Sequence, residues 1–172
     1  MMRALVALCA LCGLASAGPD PELRKIDWCN WSYANDRPYP ALISCKATVD
    51  ERHSEHDGVW AFLEYRFVSA AYGDLTGDGA EDALLAIEVT QRPVVRAAGA
   101  PTTSGEFWLI QHRRDGMVIY TSESADAVPA SVTISKGVAT LQWRVGGKTC
   151  EERWRFKGVG EAAEKSPRAC KP

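Results

Sequence analysis

Short segments in which residues of two kinds alternate, separated by turn residues, constrain the fold of this chain more than any other feature. In residues 150–157, one set of alternate positions holds Cys150, Glu152, Trp154 and Phe156, and the other set holds only the charged residues Glu151, Arg153, Arg155 and Lys157. A period of two is typical of a strand with one solvated face. The charged row indicates ion pairs across strands on a solvated surface rather than a binding patch.

Such segments follow one another along the chain. The predicted strands are residues 60–72, 83–90, 107–111, 117–121, 132–135, 138–145 and 149–157. In residues 83–90, one face holds Leu85, Ile87 and Val89, and Leu84 and Ala86 are expected to make the other face partly buried too. Successive hairpins favour antiparallel pairing. We therefore predict a mainly β chain with an antiparallel meander sheet, as a sandwich or half-open barrel, and at most one or two short helices, near residues 59–63 and 161–165.

The first seventeen residues have the composition of a signal peptide. Arg3 precedes an apolar run over residues 4–14, and Ala15-Ser16-Ala17 is the pattern that signal peptidase cuts after. We expect cleavage after Ala17 and a secreted or periplasmic protein. The remaining 155 residues fit one domain. Within it we expect an irregular cover of the sheet over 18–58, antiparallel hairpins over 59–157 and a C-terminal tail over 158–172.

Four cysteines lie beyond this segment: Cys29, Cys45, Cys150 and Cys170. An even number in an exported chain is typical of disulfides rather than thiol chemistry. Four cysteines allow three pairings. We favour the pairing of Cys29 with Cys45 and of Cys150 with Cys170, because each disulfide would close a short loop. In the chain-entropy model each would stabilise the fold by about 3 kcal/mol. A zinc site is disfavoured, because residues 18–172 contain no C-x-x-C and their histidines are not spaced with the cysteines.

Charge and hydropathy limit the class of partner. Without residues 1–17 the net charge is about −3, so there is no overall basic excess to hold nucleic acid or an anionic membrane. No apolar stretch beyond residue 17 is long enough to span a bilayer. The expected partner is an unidentified protein or a cell-envelope ligand.

Residues 74–82, the Asp74 loop, are the clearest candidate site. Side-chain oxygens fall at positions one, three, five and nine, with a glycine at position six. This layout suits calcium, which takes several oxygen ligands from a sharply turning backbone. Without a cation, the three carboxylates would crowd like charges together. The alternative, a turn rich in Asp and Gly because these residues turn well, accounts for the glycines but not for acids at positions one, five and nine.

The same segment, Gly-Asp-Leu-Thr-Gly-Asp-Gly-Ala-Glu-Asp over residues 73–82, resembles the calcium-loop motif D-x-N-G-D-G-x-x-D of FG-GAP and VCBS repeats. The resemblance implies a loop that joins two antiparallel strands and binds calcium. By position, the implied ligands are the side chains of Asp74, Thr76, Asp78 and Asp82 and the carbonyl of Ala80.

The chain departs from that family in two respects. The repeats build a β-propeller in tandem, and a single copy cannot close one, so the propeller fold is not implied. Thr76 stands where the family has Asn or Asp, and Leu85 at position twelve distinguishes the loop from an EF-hand. More broadly, the chain resembles small exported bacterial proteins with one such loop and an N-terminal Asp27-Trp28-Cys29-Asn30-Trp31 segment.

Three other segments are weaker candidates. Residues 53–57, His-Ser-Glu-His-Asp, would hold zinc or serve a hydrolase if they lay on a helix, but their polar context favours an exposed loop. Residues 92–106 are predicted as a long loop, a class that is often functional. A third candidate is a group of aromatic residues that would stack on sugars: Trp28, Trp31, Tyr33 and Tyr39. Packing of these rings over the sheet is the favoured alternative.

The sequence therefore predicts a non-enzymatic exported binding or structural module with one structural calcium ion. No catalytic residue is predicted, because no nucleophile motif or phosphate loop is present. The alternative is a small exported inhibitor or a protein that binds a carbohydrate or cell-wall ligand through exposed aromatic residues or the loop over 92–106. A hydrolase built on residues 53–57 is the least favoured hypothesis.

Overall fold

The computed structural model describes residues 21–31, 41–51, 59–94, 100–113, 116–124, 127–158 and 163–171. The helical elements are α1 (Pro21–Lys25) and a single 3-10 turn, Trp28–Asn30. The strands are β1 (Lys46–Glu51), β2 (Ala61–Gly73), β3 (Asp82–Pro93), β4 (Thr102–Arg113), β5 (Gly116–Ser124), β6 (Val128–Ser135), β7 (Val138–Val145), β8 (Lys148–Arg155), β9 (Glu164–Lys165) and β10 (Ala169–Cys170). The prediction of a mainly β chain with short helices is confirmed.

The strands form two open antiparallel sheets. The first sheet is a meander in which β1 to β5 lie side by side in chain order. The second sheet has the order β10-β8-β7-β6, and β9 also pairs with β8. All pairs are antiparallel because consecutive strands are joined by short turns, as the sequence predicts. Among the described residues, no helix is long and apolar enough to cross a membrane.

One apolar core lies between the two sheets. Phe107 of β4 makes edge contacts with Trp143 and Trp154 of the second sheet, with ring centroids 4.8 and 5.3 Å apart. Gly105 lies at a close approach of the sheets, because a Cβ there would lie 2.7 Å from Trp143 Cζ3 and 2.7 Å from Pro129 Cδ. The sheets therefore pack face to face as a sandwich.

A second core lies on the other face of the first sheet. Leu85, Ile87 and Trp108 are buried there beneath a cover made by the N-terminal residues. The buried side chains of the cover are Leu23, Trp28 and Leu42. The first half of β3 is thus buried on both faces, where the sequence predicted one buried and one partly buried face. The first sheet is the middle layer of three.

Both favoured disulfide pairings are confirmed. Cys29 is bonded to Cys45 and Cys150 to Cys170. The first bridge lies within the N-terminal cover and the second joins β10 to β8. Two disulfides are typical of proteins that mature in an oxidising compartment outside the cytoplasm.

Several sequence-based boundaries are wrong because partner strands far along the chain decide them. The helix expected near residues 59–63 is absent, since residues 61–63 begin β2 between β1 and β3. The turn of helix expected over 161–165 is replaced at its end by β9, and residues 161–162 lie outside the described residues. At the two ends of the loop expected over 92–106, residues 92–93 belong to β3 and residues 102–106 belong to β4. The cover over 18–58 also contains β1, and the tail over 158–172 contains β9 and β10.

Candidate functional site

The Asp74 loop joins β2 to β3 at one end of the first sheet. Its base is closed by the pairing of Gly73 with Asp82. Gly77 and Gly79 have φ angles of 75° and 84°, a region where a Cβ would be strained. The loop is therefore a sharp connection between two antiparallel strands, with its glycines where the backbone requires them.

Asp82, the ninth loop residue, is turned into the protein and is 1 % exposed. Its Oδ2 accepts hydrogen bonds from the backbone N–H groups of Leu75 at 2.8 Å and Thr76 at 3.1 Å, and from the Thr76 hydroxyl at 3.3 Å. Its Oδ1 accepts a bond from Gln111 Nε2 of β4 at 3.0 Å. This carboxylate joins the start of the loop to the middle of the sheet.

Burial raises the pKa of the Asp82 carboxyl above its ordinary value, because the charged form loses its hydration. The hydrogen bonds from Gln111, Leu75 and Thr76 oppose that rise, and the negative charge of Asp78 adds to it. Gln111 is itself 2 % exposed, and its Nε2 also donates to Thr76 Oγ1 at 3.1 Å. The polar interior here is a connected network rather than a single contact.

Asp74 and Asp78 lie nearer the surface and bond to the loop backbone. Asp74 accepts from Gly77 N at 2.6 Å and from Gly79 N at 3.2 Å, and Asp78 accepts from Ala80 N at 2.9 Å. Such bonds from an Asp side chain to the backbone that follows are those of a tight Asp-rich turn. They hold the loop closed through its own atoms.

The five predicted calcium ligands are therefore gathered in one loop, but their oxygens face in different directions. Asp82 faces the interior, whereas Asp74 and Asp78 face N–H groups of the loop. Within the described residues, which include the whole loop, no group of three or more His, Cys, Asp or Glu side chains is arranged to hold a metal ion. Calcium binding stays a prediction.

A contact that sequence reasoning missed ties the N-terminal cover to this loop. Glu81, 6 % exposed, accepts from Arg24 Nε at 2.9 Å and Arg24 Nη2 at 2.5 Å. The Arg24 guanidinium also lies 4.8 Å from the centre of the Tyr72 ring, and the Tyr72 hydroxyl accepts from Trp28 Nε1 at 2.7 Å. The partners are 57 residues apart, and no periodicity in the sequence signals their pairing.

An open cleft of about 780 Å³ lies between the Asp74 loop and the end of the second sheet. The charged side chains that line it are Asp74, Lys136, Arg155 and Lys157. Lys136 stands in the two-residue turn between β6 and β7, and the pairing of Val138 with Arg155 brings that turn beside the end of β8. Sequence reasoning missed this cleft because only the strand register assembles it.

The ion pairs predicted for the charged row of β8 are present in part. Arg153 Nη2 lies 3.1 Å from Glu151 Oε1, along the same strand, and Lys157 Nζ lies 2.7 Å from Glu164 Oε1 of β9. Arg155, between them, lines the cleft.

The weaker candidates divide between packed residues and residues outside the described ranges. Trp28 is buried and packs edge-on against Trp31, with ring centroids 4.8 Å apart, as expected for a cover rather than a sugar platform. Residues 53–57, Tyr33 and Tyr39 lie outside the described residues. Of the predicted loop over 92–106, residues 92–93 belong to β3 and residues 102–106 to β4, while residues 95–99 lie outside the described residues.

Neither a scan against models of known protein families nor searches of curated proteins and of solved structures finds a match to this chain. The resemblance of the Asp74 loop to the FG-GAP and VCBS motif therefore rests on residues 73–82 alone.

Proposed function

We propose that this chain is an exported, non-enzymatic binding or structural module in which the Asp74 loop holds a structural calcium ion. Export would follow from cleavage of the signal peptide after Ala17, and two disulfides support maturation in an oxidising compartment. The proposed ligands are Asp74, Thr76, Asp78, Asp82 and the carbonyl of Ala80.

The environment of Asp82 is the observation that carries this proposal. Its carboxylate is buried, and the nearby negative charge of Asp78 raises its pKa further. A divalent cation at the loop would offset both the burial of one charge and the repulsion between two. Because Asp82 also bonds to Gln111 of β4, the stabilisation would reach the sheet rather than remain in the loop.

A structural role for the polar interior supports the non-enzymatic part of the proposal. Two other buried carboxylates are likewise bonded to neighbouring side chains. Glu106 and Glu152 accept from the indole N–H groups of Trp108 and Trp154, each at 2.7 Å. Glu152 also lies 3.4 Å from Arg168 Nε, which attaches the C-terminal residues to β8. These carboxylates bond to packing residues, which is the arrangement expected of a scaffold.

The calcium proposal is tested by melting the wild-type protein in EDTA and in millimolar calcium. If the dissociation constant is ten times below the calcium concentration, the gain is about 1.4 kcal/mol, which for a domain of this size is a rise of about 3–5 °C in Tm. Asp74→Asn and Asp78→Asn should abolish the rise. Glu22→Gln, which removes an exposed charge outside the loop, should retain it. Equal wild-type midpoints in the two buffers would show that the loop is only a turn.

The alternative function, an exported inhibitor or a protein that binds a carbohydrate or cell-envelope ligand, is favoured by one observation. The cleft beside the Asp74 loop is open to solvent and lined by both charged and apolar side chains, which suits a ligand site. It lies at the end of the second sheet, whereas the sequence predicted such a site at the loop over 92–106. A hydrolase built on residues 53–57 gains no support, since those residues lie outside the described part of the chain.

A further inference from the structure

Charge is divided unequally along the chain. Residues 18–135 contain ten Lys and Arg against eighteen Asp and Glu, whereas residues 136–171 contain nine against four. The basic part begins at the turn after β6 and includes β7 to β10 of the second sheet. A segregation of this size points to an anionic partner for that sheet, although the protein as a whole is acidic.

The cations converge at one end of the second sheet. Lys136, Arg155 and Lys157 are exposed and line the cleft beside the Asp74 loop. Lys157 bonds to Glu164, whose carboxylate also attracts Arg155. Among the residues that the structure describes, the side chains of Lys136 and Arg155 make no hydrogen bond and no ion pair within 4.0 Å. The one carboxylate lining the cleft, Asp74, accepts bonds from Gly77 and Gly79 of its own loop. The cleft therefore has an excess of positive charge.

The outer face of the second sheet continues from this cleft as a row of small polar side chains. The inward residues Val132 and Leu141 belong to the core, so their neighbours Thr133, Thr140 and Gln142 face outward. Thr140 pairs in register with Arg153, whose guanidinium bonds to Glu151 of the same strand. Hydroxyl and amide groups of this kind donate to and accept from sugar hydroxyls.

Two other classes of anionic partner fit this face less well. The large apolar side chains exposed in the described residues are Ile43, Phe62 and Val94, and all three lie outside β6–β10. A membrane-binding surface presents apolar side chains that enter the lipid, and a surface for single-stranded nucleic acid presents aromatic rings to bases. The second sheet instead combines cations with hydroxyl and amide groups.

We propose that the cleft at the end of the second sheet, with Lys136, Arg155 and Lys157, binds the anionic groups of an acidic polysaccharide. The outer face of β6 and β7 would bind the neighbouring sugar hydroxyls. This inference rests on the proposed function as a non-enzymatic exported binding module and names the ligand class and the surface for it. The anionic group is a carboxylate or a sulfate, and the test separates these two sources.

The test is calorimetric titration of the full chain at low salt with oligomers of polygalacturonate, which carry carboxylates, and of heparin, which carry sulfates. The wild type should bind at least one of them, and added salt should weaken binding because the contacts are exposed charges. The double variant Lys136→Glu with Arg155→Glu should weaken binding about tenfold or more, since two attractive contacts become repulsive.

The matched control is the double variant Lys46→Glu with Lys148→Glu, which makes the same change in net charge at exposed positions. Lys46 begins β1, and Lys148 lies at the opposite end of β8 from Arg155. The control variant should bind with an affinity within about twofold of that of the wild type. Circular dichroism should show that both double variants are folded. The proposal would be overturned if both double variants lost affinity equally, or if the wild type bound neither oligomer. Binding only to a DNA duplex or to vesicles of anionic phospholipid would overturn it too.

The titrations are made in EDTA, so the outcome does not depend on calcium at the Asp74 loop. Release of reducing sugar during the titration would overturn the non-enzymatic part of the proposed function while leaving the binding site in place. Failure of the ligand proposal and failure of the proposed function are therefore read from different signals.

Discussion

Replacing Asp82 by alanine tests whether the buried carboxylate holds the Asp74 loop to the sheet. The carboxylate accepts four hydrogen bonds, from two backbone N–H groups, the Thr76 hydroxyl and the Gln111 amide. Each buried donor left without an acceptor costs about 1–3 kcal/mol. Part of that loss is recovered, because the burial that raises the pKa of Asp82 also makes its charge unfavourable. We expect the free energy of unfolding to fall by about 2–4 kcal/mol.

The assay is urea denaturation in EDTA, so that calcium makes no contribution to either state. Asp78→Ala is the matched control, because it removes the same charge from the same loop but loses only the bond from Ala80 N at 2.9 Å at an exposed site. We expect it to cost about 0.5–1 kcal/mol. Asp82→Asn, which keeps the size and one acceptor oxygen, should lie between the two. Equal losses for Asp82→Ala and Asp78→Ala would refute the assignment of the buried network as the joint between loop and sheet.

Two further predictions concern packing and pH. Gly105→Ala should lower the free energy of unfolding by about 1–3 kcal/mol, because its Cβ would lie 2.7 Å from Trp143 Cζ3 and from Pro129 Cδ; an unchanged thermal midpoint would contradict the close approach of the sheets. The raised pKa of Asp82 means that between its ordinary and its folded pKa the folded state holds a proton that the unfolded state has lost. The stability that the Asp82 carboxyl contributes therefore falls as the pH rises through that window. Asp82→Asn should remove this part of the pH dependence. The measurement is the urea midpoint of each protein, compared across the acidic range in EDTA.

The sequence predicted the elements whose signals are local. The apolar residues of β3 predicted one buried and one partly buried face, and the short loops between cysteines identified both disulfides. β1 was missed because its sequence, Lys-Ala-Thr-Val-Asp-Glu, has little apolar pattern and is a strand through its pairing with β2. β9 and β10 were missed because they have only two residues each and are strands through their pairing with β8.

In the candidate site, too, the sequence predicted the features with local signals and missed those that depend on strand pairing. Asp and Gly at fixed spacings predicted the sharp Asp74 loop, and the structure has that turn. Gln111 had appeared only as the end of a strand, and its contact with Asp82 depends on the pairing of β3 with β4. The cleft was missed because the register between β7 and β8 brings Lys136 near Arg155, although the clustering of basic residues after residue 135 was visible in the sequence.

The N-terminal cover has a consequence for the order in which this protein is made. The cover lies before β2, β3 and β4 in the chain, so a chain that emerges from its N-terminus presents Leu23, Trp28 and Leu42 before the face that will bury them exists. Cys29 and Cys45 both precede the strands of that face and are able to join within the cover itself. This arrangement allows the cover to be cross-linked before the face that it buries has been made.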